Sequence, residues 1–152
     1  MKTGIIVYSI TGNTKSVAQR LLDSMIEKEI DASLQEVKAV SDDTEQKQVE
    51  LIESPDVKSY DRVIFASPVH AFCLSKVMRT YLSEIDSLAN KEVILFVTHH
   101  FPFAWMGGNS ALRQMSQKVL SKDGKVKAMF SINWSSKKRE LGIQKMIEQV
   151  LQ

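Results

Sequence analysis

The sequence predicts an α/β protein: one parallel β-sheet with helices on both faces, a three-layer α/β/α sandwich. Three observations carry this. Short runs rich in β-branched and aromatic residues recur along the chain, apolar throughout, as strands covered on both faces require. Between them lie stretches whose apolar residues recur at three- and four-residue spacing, the signature of helices lying on a sheet. The two kinds of segment alternate, which favours parallel strands joined by helical crossovers.

The first strand is Gly4–Tyr8, and Val17, Leu21, Leu22, Met25 and Ile26 form the stripe of the helix that follows it. Ser33–Val37 is a weaker strand, with fewer apolar residues. Ser41–Tyr60 interrupts the alternation with six acidic residues and a single apolar patch at Val49–Ile52, so a loop with one short helix is expected there. Arg62–Ser67 and Glu92–Thr98 are the next two strands, separated by a helix striped with Val77, Met78, Tyr81, Leu82 and Ile85. A third helix carries Leu112, Met115 and Val119, a last strand spans Lys125–Asn133, and Met146, Ile147 and Val150 mark a C-terminal helix. With no repeat and no extended low-complexity segment, residues 1–152 read as one domain.

Composition narrows the function classes. The chain is 43% hydrophobic and 25% charged, an ordinary globular balance. A domain of this length buries enough apolar surface to need no disulfide or structural metal, and its single cysteine, Cys73, excludes an intrachain disulfide. Cysteine poverty, an N-terminus without a secretory pattern and the lack of a long apolar run lead to the expectation of a cytoplasmic protein with no membrane span. The net charge of +2 is unevenly spread: residues 1–98 carry 11 basic and 15 acidic side chains, residues 99–152 carry 9 and 3. A basic half can attract an acidic protein or a polyanion. Trp105 and Trp134 do not interleave with the lysines as a base-stacking surface would require, so no nucleic-acid role is expected.

In open parallel sheets ligands bind beyond the carboxyl ends of the strands. The first such loop, Ser9-Ile10-Thr11-Gly12-Asn13-Thr14-Lys15, offers three hydroxyls, an amide and a glycine directly before a helix N-terminus. Backbone N–H groups and the helix dipole can hold a phosphate there. A nucleoside-triphosphate loop ending at Lys15-Ser16 would need glycine at positions 9 and 14, which hold Ser9 and Thr14. The spaced glycines of a dinucleotide fold and the acidic pair of a receiver domain are also absent. The plainer alternative is a hydroxyl-rich turn that caps a helix.

Ser9-Ile10-Thr11-Gly12-Asn13-Thr14 resembles the phosphate loop of the flavodoxin family, Thr/Ser-x-Thr-Gly-x-Thr. Tyr60–Val69 is similar to that family's third strand and the flavin loop after it, and Thr98–Asn109 corresponds to the other flavin loop. The resemblance spans essentially the whole chain. It implies a five-stranded parallel sheet in the order 2-1-3-4-5, bound FMN, and a phosphate site at Ser9, Ile10, Thr11, Gly12, Asn13 and Thr14. It implies ring contacts from Ser67, Pro68, Val69, His70, Ala71 and Phe72, and from Thr98, His99, Phe101, Trp105, Gly107 and Gly108.

Phe72, Phe101, Phe103 and Trp105 concentrate four aromatic rings in these two loops, in a chain only 7% aromatic. Stacking on a large apolar ring would explain aromatics where solvent should be, although Phe101 and Phe103 could instead extend the core. Trp105 or Phe101 is the expected stacking residue. His70 could stack, donate a hydrogen bond, or be a polar loop residue without chemistry. His99 and His100 diverge on extended backbone, with no cysteine or carboxylate at ligand spacing, so no metal site is expected. Cys73 reads as a small, partly buried thiol.

The three loops contain no Asp or Glu. Carboxylates near FMN oppose its reduced anion, so their absence predicts a less negative potential than acidic flavodoxins have. The leading expectation is an FMN-binding carrier moving electrons between a reductase and an acceptor protein, as a monomer or weak homodimer, with no catalytic residue of its own. The alternative is an FMN-dependent NAD(P)H:quinone-type oxidoreductase, favoured by Gly107-Gly108 and a pI near 8.6. A domain that has lost FMN and serves as a binding module is the third reading, and the intact Ser9–Thr14 loop argues against it.

Overall fold

The computed structural model describes residues 1–101 and 107–152. In chain order the elements are β1 (Thr3–Val7), α1 (Asn13–Glu27), β2 (Ala32–Glu36), β3 (Lys38–Ala39), β4 (Leu51–Glu53), β5 (Arg62–His70) and β6 (Cys73–Leu74). They continue with α2 (Lys76–Glu84), β7 (Glu92–His99), α3 (Gly108–Ser121), β8 (Lys125–Asn133) and α4 (Arg139–Leu151). The sheet order is β2-β1-β5-β7-β8, with every neighbouring pair parallel. Counting these five strands in chain order gives the expected 2-1-3-4-5.

Alternation within the central strands divides the core. Ile6, Phe65 and Leu95 face one side, where they pack with Met78 and Leu82 of α2 and Met115 of α3. Ile5, Ile64 and Phe96 face the other and meet Leu21 and Met25 of α1 and Met146 of α4. Both faces of β1, β5 and β7 are therefore buried, which is why these strands read as unbroken apolar runs. The edge strands β2 and β8 have one partner each and stay partly exposed, in keeping with the weaker signal of Ser33–Val37.

Two boundaries differ from the sequence reading. The strand expected at Arg62–Ser67 continues through Pro68, Val69 and His70, then turns back as β6 in an antiparallel hairpin. The pairing Val69↔Leu74 and His70↔Cys73 supplies partners that hydropathy does not reveal. Ser41–Tyr60 forms no helix; its apolar patch instead contributes β4, which pairs antiparallel with β3 as a separate two-stranded sheet. No helix among the described residues is long and apolar enough to cross a membrane.

Gly4, the second residue of β1, packs directly against the Tyr60 ring. A Cβ there would come within 2.5 Å of the Tyr60 ring. That ring is buried, and its hydroxyl is fixed by Ser33 Oγ at 2.9 Å and Gln35 Nε2 at 3.2 Å. Gly4→Ala is expected to destabilise the fold by about 1–3 kcal/mol through overpacking. Gly142→Ala in α4, where an added Cβ meets nothing within 4 Å, should instead stabilise by about 0.5–1 kcal/mol. Urea denaturation of both variants checks the pair; equal effects would contradict this account of Gly4.

Candidate functional site

Because the five main strands run parallel, their carboxyl ends share one edge, and the loops leaving β1, β5, β7 and β8 meet there. The loop after β1 turns at Gly12, whose φ of +94° lies in the left-handed region. An added Cβ would meet nothing within 4 Å, so glycine is needed here for backbone conformation, not for space. Ser9 Oγ accepts the N–H groups of Gly12 at 3.2 Å and Lys15 at 3.3 Å. The opening amides of a helix have no intrahelical acceptor, and those of Asn13 and Thr14 find none among the described residues. The first turn of α1 holds no acidic residue, and the Lys15 ammonium is turned aside to Glu36 at 3.1 Å. The loop is thus a cradle of amides and hydroxyls open to solvent, with the chemistry to hold a phosphoryl group.

Thr14 and Thr98 are both buried, and their hydroxyls bond to each other at 2.8 Å. This pair ties the start of α1 to the end of β7. What Thr14 offers a ligand is its backbone N–H. Asn13 Nδ2 makes a longer contact of 3.4 Å with His100 Nε2, joining the same two loops.

The β5–β6 hairpin turns at Ala71 and Phe72, with φ of +47° and +64°. Two successive positive-φ residues are the geometry that Asn-Gly usually adopts in hairpins. Non-glycine residues held there cost of order 1–3 kcal/mol each, and such strain persists only where the surroundings impose it. Here Leu74 N–H donates to Gln114 Oε1 at 3.0 Å. The Phe72 ring stacks on Phe101, with centroids 4.5 Å apart and planes at 26°. Gly107, at φ +121°, presses on the turn so closely that a Cβ would lie 2.7 Å from Phe72 Cα. Phe72 and Phe101 nonetheless remain 48% and 38% exposed, so neither ring has gone into the core.

Ser67 is fully buried and does not face the edge. Its hydroxyl donates to Pro68 O at 3.0 Å and pairs with Ser75 Oγ at 2.8 Å, and Ser75 caps α2 by accepting the Met78 N–H at 3.2 Å. Pro68 and Val69 are half-buried, Val69 packing against the core. His70 is half-buried and lines a cavity of about 450 Å³. His99 is buried, and its Nδ1–H donates to Phe101 O at 2.8 Å, fixing the loop that carries Phe101. Burial holds both imidazoles below histidine's usual pKa, which favours their neutral forms. Gly108 opens α3 against the His99 ring and Ser131 Oγ, atoms that fill the place a side chain would take. Trp105 and Phe103 lie outside the described residues. Among the described residues no cluster of His, Cys, Asp or Glu is placed to hold a metal.

The structure adds residues that the loop reading passed over. Asp42, Asp43 and Glu45 line the cavity beside His70 and Ala71. Tyr8 OH anchors this segment by donating to Asp42 Oδ1 at 2.9 Å, and the low dielectric around Tyr8 raises its pKa well above the ordinary phenol value. Lys76 Nζ donates to Gln46 O at 2.8 Å from the other side. The absence of carboxylates within the three loops therefore does not make their neighbourhood free of acid. No local signal in Ser41–Tyr60 reveals this, because the approach depends on β3–β4 pairing. The loop after β8 also reaches the site, with Trp134 N–H donating to His99 O at 2.7 Å and Ser135 Oγ to His100 O at 2.9 Å. The carboxyl-edge rule, applied to the last strand, would have found it.

Together these elements place an anion cradle beside two exposed aromatic rings. The fold is similar to that of a Fusobacterium nucleatum flavodoxin bound to flavin mononucleotide, at 16% identity over 99% of this chain and 98% of that one, with a TM-score of 0.71. It is also similar to oxidised Flavodoxin 2 from Bacillus cereus, at 17% identity over 97% and 96% of the two chains, TM-score 0.69. A flavoprotein in complex with FMN from Lactobacillus acidophilus NCFM shares 22% identity over 86% and 92%, TM-score 0.63. No curated protein sequence matches significantly. The family model described as Flavodoxin domain matches residues 4–130, most of the sandwich; the chain belongs to that family.

Proposed function

We propose that this protein is an FMN-binding electron carrier, shuttling electrons in the cytoplasm between a reductase and an acceptor protein. One observation carries the reading: the amide cradle at Ser9–Thr14 shares its sheet edge with the stacked and exposed rings of Phe72 and Phe101. A phosphate on a short polar chain and a planar apolar ring are what such a pair of features fits. FMN, when bound, supplies the redox chemistry; the chain's task is to hold, orient and shield it. Asn13 and Thr14 would offer their open backbone N–H groups to the phosphate. Phe72 and Phe101 would provide the ring contacts, and at a 4.5 Å centroid spacing they leave no thickness for a third ring between them. A flavin seated between the two loops must replace that contact.

The cavity of about 450 Å³ beside His70 favours a second reading, an FMN-dependent NAD(P)H:quinone-type oxidoreductase. It is large enough for part of a nicotinamide or quinone.

Two measurements test these proposals. Protein mixed with FMN, desalted and reduced with dithionite should retain flavin and pass electrons to an oxidised one-electron acceptor protein, without sustained oxidation of NAD(P)H by quinone. Steady NAD(P)H turnover would establish the oxidoreductase instead, and loss of flavin on desalting would sink both readings. Phe101→Ala should weaken FMN binding roughly tenfold, as expected for an aromatic contact worth about 1 kcal/mol or somewhat more. Unchanged affinity, read from quenching of flavin fluorescence, would remove Phe101 from the ring contacts.

A further inference from the structure

Charge is spread unevenly along the carboxyl edge, mixed at the hairpin end and basic at the β8 end. Over the ends of β1 and β5 sit the exposed carboxylates of Asp42, Asp43 and Glu45, with Lys76 and Arg79 lining the same cavity. The exposed apolar residues Ile10, Phe72 and Phe101 belong to the loops after β1, β5 and β7. At the β8 end lie Lys137 and Lys138, in the turn between β8 and α4. This basic turn belongs to the site's rim, because Trp134 N–H bonds His99 O at 2.7 Å and Ser135 Oγ bonds His100 O at 2.9 Å.

The neighbouring charges are already matched. Arg139 lies over the Trp134 ring at 4.4 Å and donates to Trp134 O at 2.7 Å, and Glu140 pairs with Arg20 at 2.7 Å. The ammonium groups of Lys137 and Lys138 have no ion-pair or hydrogen-bond partner among the described residues. They stand in the last third of the chain, residues 99–152, with 9 basic and 3 acidic side chains.

We propose that Lys137 and Lys138 form the docking rim for an electron-transfer protein whose own redox centre is bordered by carboxylates, with Ile10, Phe72 and Phe101 as the small apolar centre of the contact. The proposal rests on the carrier reading and names its partner's chemistry. Unpaired charges at the rim of an interface raise the encounter rate and orient the partner, while adding little to a stable bound state. A transient redox contact needs that combination of steering, small area and easy release. At the hairpin end Lys76 and Arg79 share the cavity with Asp42, Asp43 and Glu45 and offset most of their charge, so the net positive charge that steers an acidic partner lies at the β8 end.

The test uses the full chain, FMN-loaded and ¹⁵N-labelled, with an acidic plant-type [2Fe–2S] ferredoxin as probe and basic cytochrome c as comparison. The expected result is ferredoxin-induced shifts at residues 134–138, Ile10 and Phe72, with affinity falling roughly tenfold between about 20 and 200 mM salt. The double variant Lys137→Glu, Lys138→Glu should lower ferredoxin affinity by a further factor of about ten, leaving flavin retention and the unfolding midpoint unchanged. Unchanged affinity in that variant would overturn the proposal, as would tighter binding of cytochrome c than of ferredoxin. So would sedimentation showing that the basic turn pairs with Asp42–Glu45 of a second copy of this chain. Flavin absorbance of the same samples separates the two levels: ferredoxin docking at the lysines by protein that holds no flavin would overturn the carrier reading and support the docking surface.

Discussion

Parallel pairing of β1, β5, β7 and β8 is the constraint from which the site follows. Parallel strands point the same way, so each must hand its chain to a loop at the same edge, and the helix after that loop begins there with its amides unpaired. In this protein the rule delivers three things to one place. The loop after β1 brings the N-terminus of α1 and its open amides. The continuation of β5 into β6 brings Phe72. The end of β7 brings His99 and the Phe101 carbonyl it holds. The buried Thr14–Thr98 hydroxyl pair then locks the first and third of these together at 2.8 Å. Sheet topology thus does the work of assembling residues far apart in sequence, and side chains only fix the last ångströms.

The hairpin tip shows that the edge is held under tension. Ala71 and Phe72 occupy left-handed backbone that neither side chain favours. The turn is kept there by β5–β6 pairing, the Gln114 bond to Leu74, the stack on Phe101 and the close approach of Gly107. Several independent contacts impose one unfavourable conformation, the circumstance in which strain at a functional loop survives. Since the Phe72–Phe101 contact is both one of these restraints and the place where a planar ligand would enter, ligand binding and hairpin conformation are mechanically linked.

Much of this was legible in the sequence, because it depends on local pattern. The apolar runs at Gly4–Tyr8, Arg62–Ser67 and Glu92–Thr98 exist because those strands are covered on both faces, and the structure covers them. Gly12 could be singled out because it precedes a helix stripe and follows a strand. What escaped depends on pairing between segments. The extension of β5 to His70 needs β6 as its partner. Asp42 reaches the site only because β3 and β4 pair and Tyr8 holds it. The flavodoxin resemblance also implied ring contacts from Ser67, Thr98 and His99. The structure turns all three inward, where their hydrogen bonds organise the loops that carry the exposed residues. Loop membership says where a residue is along the chain, and burial decides which way its side chain faces.

The phosphate cradle is the central feature of the site, and a comparison of two ligands that differ only in that group tests it. Riboflavin has the same ring and side chain as FMN without the phosphate. Fluorescence-quenching titrations of both against the protein isolate what the Ser9–Thr14 loop contributes. Two charge-assisted hydrogen bonds from the Asn13 and Thr14 amides predict FMN affinity greater than riboflavin affinity by at least about a hundredfold. Equal affinity for the two would contradict the account, because it would mean that the loop after β1 holds no phosphate.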